Sequence, residues 1–244
     1  MIAILTSSLG GSYKIDGKRY PTNLPNTNHL KDTIAKFWND NARVLFISAW
    51  PTAFEKNDEN RYCLNASFTM SGLSVSIFDV CDSRNEALAK HLDNYDVVIL
   101  GGGHVPTQNL FFEKLGLKQT LANYQGLVIA WSAGSMNCSN IVYALPEIEG
   151  EGTDPQYKRF IDGLGITTTI IIPHYQAVKE DIVDGLNVIT DMAIPDSCNR
   201  TFYGLLDGSY ILSIDREEKL YGEAYSISNG IITKVNDNNK VISL

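Results

Sequence analysis

Short apolar runs recur through the first half of the chain, each followed by a more polar stretch with helical spacing. Residues 73–79 are a strand-like segment, and residues 2–5, 43–48, 97–100 and 127–131 are short, nearly continuous apolar runs. That is the pattern of strands buried on both faces. Between them, residues 27–39 place Leu30, Ile34 and Phe37 on one helical face. Residues 57–72 and 84–92 are predicted helical, 107–124 form one or two helices, and another helix starts at Ala133. Strand–helix alternation of this kind predicts an α/β fold, a doubly wound, mostly parallel sheet with helices on both faces and right-handed crossovers.

The pattern changes after residue 142. Residues 143–165 are rich in Glu, Gly, Pro and Asp and read as a long loop, of the sort that is often functional in a compact domain. Residues 166–172 are a β-branched strand ending in Pro173-His174-Tyr175, and 177–190 are predicted helical. From Ala193 onward the chain reads as short strands, with hairpin signals at Asp207-Gly208 and Asn229-Gly230. These strands are expected to extend the sheet edge in antiparallel fashion. Residues 7–28 form a polar insertion placed to line or cover a cleft. No repeat, linker or low-complexity tract divides the chain, so residues 1–244 are expected to form one domain.

Composition narrows the function classes. A net charge of −8 argues against nucleic acid and supplies no basic face for a membrane. Four cysteines without C-x-x-C spacing imply neither a metal site nor a disulfide framework. The first apolar run is too short for a signal peptide, and no stretch approaches membrane-spanning length, so a cytoplasmic protein is expected. A monomer or homodimer is expected, because the edge strands of the tail offer a surface for pairing.

The strand at 127–131 runs into Ser132-Ala133-Gly134-Ser135. Small residues there permit a tight turn that would hold the Ser132 hydroxyl at the carboxyl end of the sheet, where ligands of such folds bind. A helix-capping serine is the plainer alternative. A nucleophilic serine needs a base, an acid and an oxyanion hole. Of the four histidines, His29 and His91 fall in surface contexts, whereas His104 and His174 follow strands on the same side as Ser132. His174 is the better base, since Pro173 fixes the backbone before it. Glu147, Glu149, Glu151 and Asp154, in the loop between Ser132 and His174, are the candidate acids. Gly101-Gly102-Gly103 and the N–H of Ala133 can present backbone donors to an anion. The glycine run lacks G-x-G-x-x-G spacing, which disfavours dinucleotide binding.

Three segments together carry a family resemblance: Gly101-Gly102-Gly103-His104, Ala130-Trp131-Ser132-Ala133-Gly134 and Ile172-Pro173-His174-Tyr175. Their order and rough spacing resemble the serine peptidases of the dipeptidase E and cyanophycinase type. Gly204-Leu205-Leu206-Asp207-Gly208 is similar to a late strand turn of that family, so the likeness spans about residues 43–215. The family's fold is similar to class I glutamine amidotransferases, with serine in place of cysteine. The resemblance implies that Ser132 is the nucleophile and His174 the base, with Gly103 and Ala133 N–H groups forming the oxyanion hole. It places the acid at Glu147, with Glu149 and Glu151 as rivals. It implies short peptide substrates, among them dipeptides beginning with Asp, and no metal or organic cofactor. Two departures bear on specificity. His104 replaces an asparagine near the substrate, and residues 176–180 lack the arginine-rich stretch that holds a substrate acid, leaving His104 and Lys179 as candidate substrate-binding residues. An esterase or amidase on the same scaffold and a binding protein that kept the fold are the competing readings. An α/β-hydrolase is disfavoured, because Ala130 stands where Gly-x-Ser-x-Gly needs its first glycine.

Overall fold

The computed structural model describes all 244 residues. Its centre is an eight-stranded sheet. Five strands, Val75–Cys81, Ala42–Ile47, Val97–Leu100, Leu127–Trp131 and Ile2–Thr6, are parallel and adjacent in that order. Tyr210–Ile214, Glu217–Tyr221 and Val241–Ser243 then continue the sheet antiparallel beyond Ile2–Thr6. The apolar runs are continuous because alternate residues feed two different cores. Leu45, Val98, Leu100, Val128 and Ala130 pack on one face, against Phe111, Leu115 and Leu121 of the helices Val105–Leu115 and Leu117–Ala122. Val44, Phe46, Val97, Ile99 and Ile129 pack on the other, against Ile34 and Phe68 of the helices Leu30–Phe37 and Phe54–Met70. A strand covered on both faces has no polar side, so its sequence does not alternate. This is the doubly wound α/β architecture expected from the pattern.

The tail departs from the expectation in one respect. Only part of it extends the main sheet. Thr201–Leu205, Ala224–Ser228 and Ile231–Asn236 join Ile170–Ile172 in a second, four-stranded sheet, with Thr201–Leu205 parallel to Ile170–Ile172. A third core lies beneath it, where Tyr143 and Phe202 stack at 4.4 Å. Asp207-Gly208 is therefore no hairpin but the passage from the small sheet to the large one. Asn229-Gly230 is the hairpin expected, with positive φ at both residues. The segment 177–190 is not one helix. A short helix, Tyr175–Val178, gives way to the strands Ile182–Val183 and Leu186–Asn187 around Asp184-Gly185, and then to a π-helical stretch, Val188–Ala193. Both Asp184 and Gly185 take positive φ, the requirement of a tight two-residue hairpin turn. Residues 84–92 form 3₁₀ turns rather than a helix, and the strand foreseen at 166–172 is confined to Ile170–Ile172. Within the polar insertion, Ser12–Ile15 pairs with Lys18–Pro21 in a hairpin that packs on Phe54–Met70. No helix is long and apolar enough to cross a membrane.

Candidate active site

Ser132 sits where Leu127–Trp131 turns into the short helix Ala133–Asn137, with φ 52° and ψ −124°. An L-residue held there stores about 1–3 kcal/mol of backbone strain, which persists only where its surroundings over-determine it. Here the Ser132 N–H donates to the carbonyls of Thr6 and Ser7, both at 3.2 Å, and its own carbonyl accepts from Met136 at 3.1 Å. Ser135 Oγ donates to Thr6 O at 2.8 Å and pins the helix to the first strand. The helix starts so close to the neighbouring strand that a Cβ on Gly134 would lie 2.3 Å from Leu100 O and 2.8 Å from Gly101 O. Both obstacles are backbone. Gly134→Ala should therefore lower stability by about 1–3 kcal/mol, as overpacking does, and denaturant unfolding would read it. An unchanged midpoint would show that the start of the helix can shift away from Leu100 without cost.

His174 follows Ile170–Ile172 and also takes a left-handed conformation, φ 52° and ψ 33°. Its N–H donates to Ser7 Oγ at 2.7 Å. Its ring Nδ1 lies 2.7 Å from Asp207 Oδ1. Asp207 is further held by the Ser7 hydroxyl, which donates to Oδ1 at 2.9 Å, and by Gln176 Nε2, which donates to Oδ2 at 2.8 Å. Gln176 Oε1 accepts the Asp207 N–H in return, at 3.1 Å. These contacts follow from the pairing of Ile170–Ile172 with Thr201–Leu205, in which Ile172 stands opposite Gly204. Two parallel neighbours end on the same side, and the residues just past each end meet.

The carboxylate on His174 is thus Asp207, which corrects the placement of Glu147 in that position. Glu147 makes no hydrogen bond to His174. It lines, with Ser132, His174, Met136, Ile172 and Asp181, a cleft of about 470 Å³. Its surface is open to cleft solvent, yet its carboxyl is crowded by protein atoms. Loss of hydration, and then the neighbouring charge of Glu151, push it up to about 7, against an opposing backbone hydrogen bond from Val105. The folded state therefore holds this proton where the unfolded chain has released it, and stability contributed here falls as pH rises from about 4.5 to about 7. Glu147→Gln should be insensitive to that change. The difference in Tm between variant and parent should widen from pH 5 to pH 8, by less than a fully buried carboxyl would give, because cleft solvent screens the group. A constant difference across the range would refute the assignment.

The remaining candidates have other partners. Both ring nitrogens of the buried His104 are engaged, Nδ1 with Thr107 Oγ1 and Nε2 with Glu151 Oε1, each at 2.8 Å. Glu151 Oε2 accepts the N–H groups of Glu147 and Ile148 at 2.9 and 3.1 Å. His104 and Glu151 thus latch the loop bearing Glu147 onto the glycine run, and neither is free for a substrate. Lys179 does not line the cleft, and its Nζ lies 3.8 Å from Glu180 on the surface. Glu149 and Asp154 are exposed and stand away from His174. Gly102 lies against the elbow, where a Cβ would come within 3.0 Å of Ser132 Cβ, whereas Gly103 faces Ala49 and Trp50. The N–H groups of Gly103 and Ala133 have no acceptor within the protein. Sequence reasoning missed Ser7 and Gln176 altogether and treated Asp207 as a turn residue. An acid directly after a strand end, beside the strand that carries the histidine, was the available signal.

An elbow serine, a histidine backed by a carboxylate and a shared cleft at the strand ends are features of a hydrolase. The model of peptidase family S51 matches residues 21–220, and the chain belongs to that family. It is a peptidase by family. None of the curated proteins matches the chain. Among solved structures it is similar to that of a "Putative Peptidase E Protein" from Listeria monocytogenes EGD-e, at 13% identity and a TM-score of 0.52. That match covers 96% of this chain and 98% of the other, and shows a shared fold.

Proposed function

We propose that this protein is a serine peptidase that hydrolyses short peptides through Ser132, His174 and Asp207. The observation that carries the proposal is that His174, paired with Asp207, lines one cleft together with a strained elbow serine. In the first half-reaction Ser132 Oγ attacks the scissile carbonyl carbon while His174 Nε2 takes the hydroxyl proton. Asp207 accepts from His174 Nδ1–H, which keeps Nε2 unprotonated in the resting state and stabilises the imidazolium that forms. The N–H groups of Gly103 and Ala133 would receive the developing oxyanion, and fixed donors of this kind supply a large share of the rate enhancement. The imidazolium then protonates the leaving amine, and the C–N bond breaks to leave an acyl-enzyme. Water, deprotonated by His174, hydrolyses it and restores the serine. The Asp207–His174 pair is half-exposed, so its role is to fix a tautomer and an orientation rather than to hold the fold.

Dipeptides beginning with Asp are one substrate class to try. A dipeptide panel with acidic, neutral and basic first residues, run with wild-type and Ser132→Ala protein, tests the proposal. Serine-dependent release of amino acids is expected. Hydrolysis that survives Ser132→Ala would overturn it. Serine-dependent turnover of esters alone would turn the assignment to an esterase.

A further inference from the structure

Two amide side chains are fully buried where the glycine run meets the elbow. Gln108 belongs to the helix Val105–Leu115, which follows the run, and Asn137 ends the elbow helix Ala133–Asn137. Gln108 Nε2 donates to Gly101 O at 2.6 Å. Asn137 Nδ2 donates to Gln108 Oε1 at 3.0 Å and to Val105 O at 3.3 Å. Asn109 Nδ2 in turn donates to Asn137 Oδ1 at 2.9 Å and to Asp162 O at 2.8 Å. Asn109, Asn137 and Gln108 thus form a directed chain of donors that ends on one carbonyl. Hydrogen bonds in series polarise one another, and they do so most where the local dielectric is low.

The position of that carbonyl gives the chain its meaning. A peptide unit is planar and trans, so holding Gly101 O aims the Gly102 N–H the opposite way. The Gly101 N–H is itself held by Ile47 O at 3.3 Å. Gly102 packs on Ser132, Gly103 follows it, and the N–H groups of both lack an acceptor within the protein. Gly101 O also faces the elbow helix, where a Cβ on Gly134 would come within 2.8 Å of it. The amide chain therefore ties the peptide that leads into the glycine run to the helix that begins at Ala133. Apolar side chains of the same shape could fill this space at little cost in stability. They could not fix the orientation of a peptide plane.

We propose that Gln108 and Asn137 are positioning residues, which hold the N–H groups of the glycine run and of Ala133 at the separation a tetrahedral oxyanion needs. The proposal rests on the peptidase reading above. Donors fixed in advance stabilise the transition state, and a small misplacement of them is costly. Gln108→Met keeps the length of the side chain and removes both of its hydrogen-bonding groups. With the dipeptide turned over fastest, it should lower kcat about 10- to 100-fold and leave KM within about twofold. Phenylboronic acid, which adds to a nucleophilic serine as a tetrahedral anion, should bind the variant more weakly by a similar factor. Its tetrahedral boron NMR signal, lost in Ser132→Ala, reports that adduct directly. Asn109→Ala, at the outer end of the chain, should show the same split between kcat and KM in milder form, and gives a reading even if Gln108→Met does not fold.

A variant that melts earlier, yet matches the wild type in kcat and in boronate affinity where both are folded, would overturn the proposal, since the amides would then only join two helices. So would a change confined to KM, because an oxyanion exists only beyond the ground state. If the wild type shows neither Ser132-dependent turnover nor a Ser132-dependent adduct, the peptidase reading falls and takes this inference with it. An adduct equally tight in wild type and Gln108→Met would overturn the inference alone.

Discussion

Asp207→Asn should lower kcat by about 10⁴-fold, the cost of presenting the wrong tautomer in a serine triad. The substitution is nearly isosteric. Ser7 and Gln176 hold this side chain in place, and an amide can keep much of that arrangement. What changes is the group facing His174 Nδ1, 2.7 Å away. An amide N–H turned toward it would force Nδ1 to accept, and the proton would move to Nε2. A histidine protonated at Nε2 cannot take the serine proton. Folding and melting temperature should stay close to the parent's, because a half-exposed pair contributes little to stability. Steady-state kinetics with a far-UV spectrum would check both halves of the prediction. Glu147→Gln should leave kcat largely intact in the same assay. The reverse pattern, an active Asp207→Asn beside an inactive Glu147→Gln, would return the acid to the loop.

Ser132→Ala should be worse, with a loss on the order of 10⁶-fold in kcat. The informative comparison is the double variant. Residues that act as a unit are strongly non-additive, because once the nucleophile is gone the base has no proton to take. Ser132→Ala/Asp207→Asn should therefore be no slower than Ser132→Ala alone, within about tenfold. A product of the two separate losses would mean that Asp207 serves a step that does not involve the serine. Ser132→Ala keeps the strain of the elbow, since alanine is no freer than serine at φ 52°, and only glycine would relieve it. Ser132→Gly should for that reason be more stable than the parent by about 0.5–1 kcal/mol in denaturant unfolding, the inverse of the usual cost of glycine, as left-handed backbone is its preferred ground.

Features that depend on neighbours in sequence were legible before the fold was known. The inner parallel strands announced themselves because both faces of each are covered, and Ser132 because small residues must follow an elbow whose helix grazes Leu100 O. His174 stood out by the proline before it. Asp207 was hidden by topology. Its meeting with His174 exists because Thr201–Leu205 pairs with Ile170–Ile172, a choice no local pattern encodes. The dipeptide itself misled. Asp16-Gly17, Asp184-Gly185 and Asn229-Gly230 all turn hairpins and all have positive φ at both residues, whereas at Asp207-Gly208 only the glycine does. The same two letters thus encode a tight turn or a passage between sheets, and the flanking strands decide which. The helix foreseen at 177–190 failed for a related reason, because Val178, Ile182, Leu186 and Ile189 have helical spacing while Asp184-Gly185 breaks it.

The passage at Asp207 has a bearing on when this molecule becomes active. Ser132 belongs to the large sheet, His174 to the small one, and Asp207 to the link between them. The first strand, Ile2–Thr6, gains its antiparallel neighbour only when Tyr210–Ile214 is in place. Under the proposed mechanism, a growing chain carries Ser132 long before Asp207 can meet His174, and its earliest strand must wait for one of its latest. Catalytic rate during refolding accordingly times the last step of assembly, the docking of two sheets, and should lag behind the recovery of helical signal.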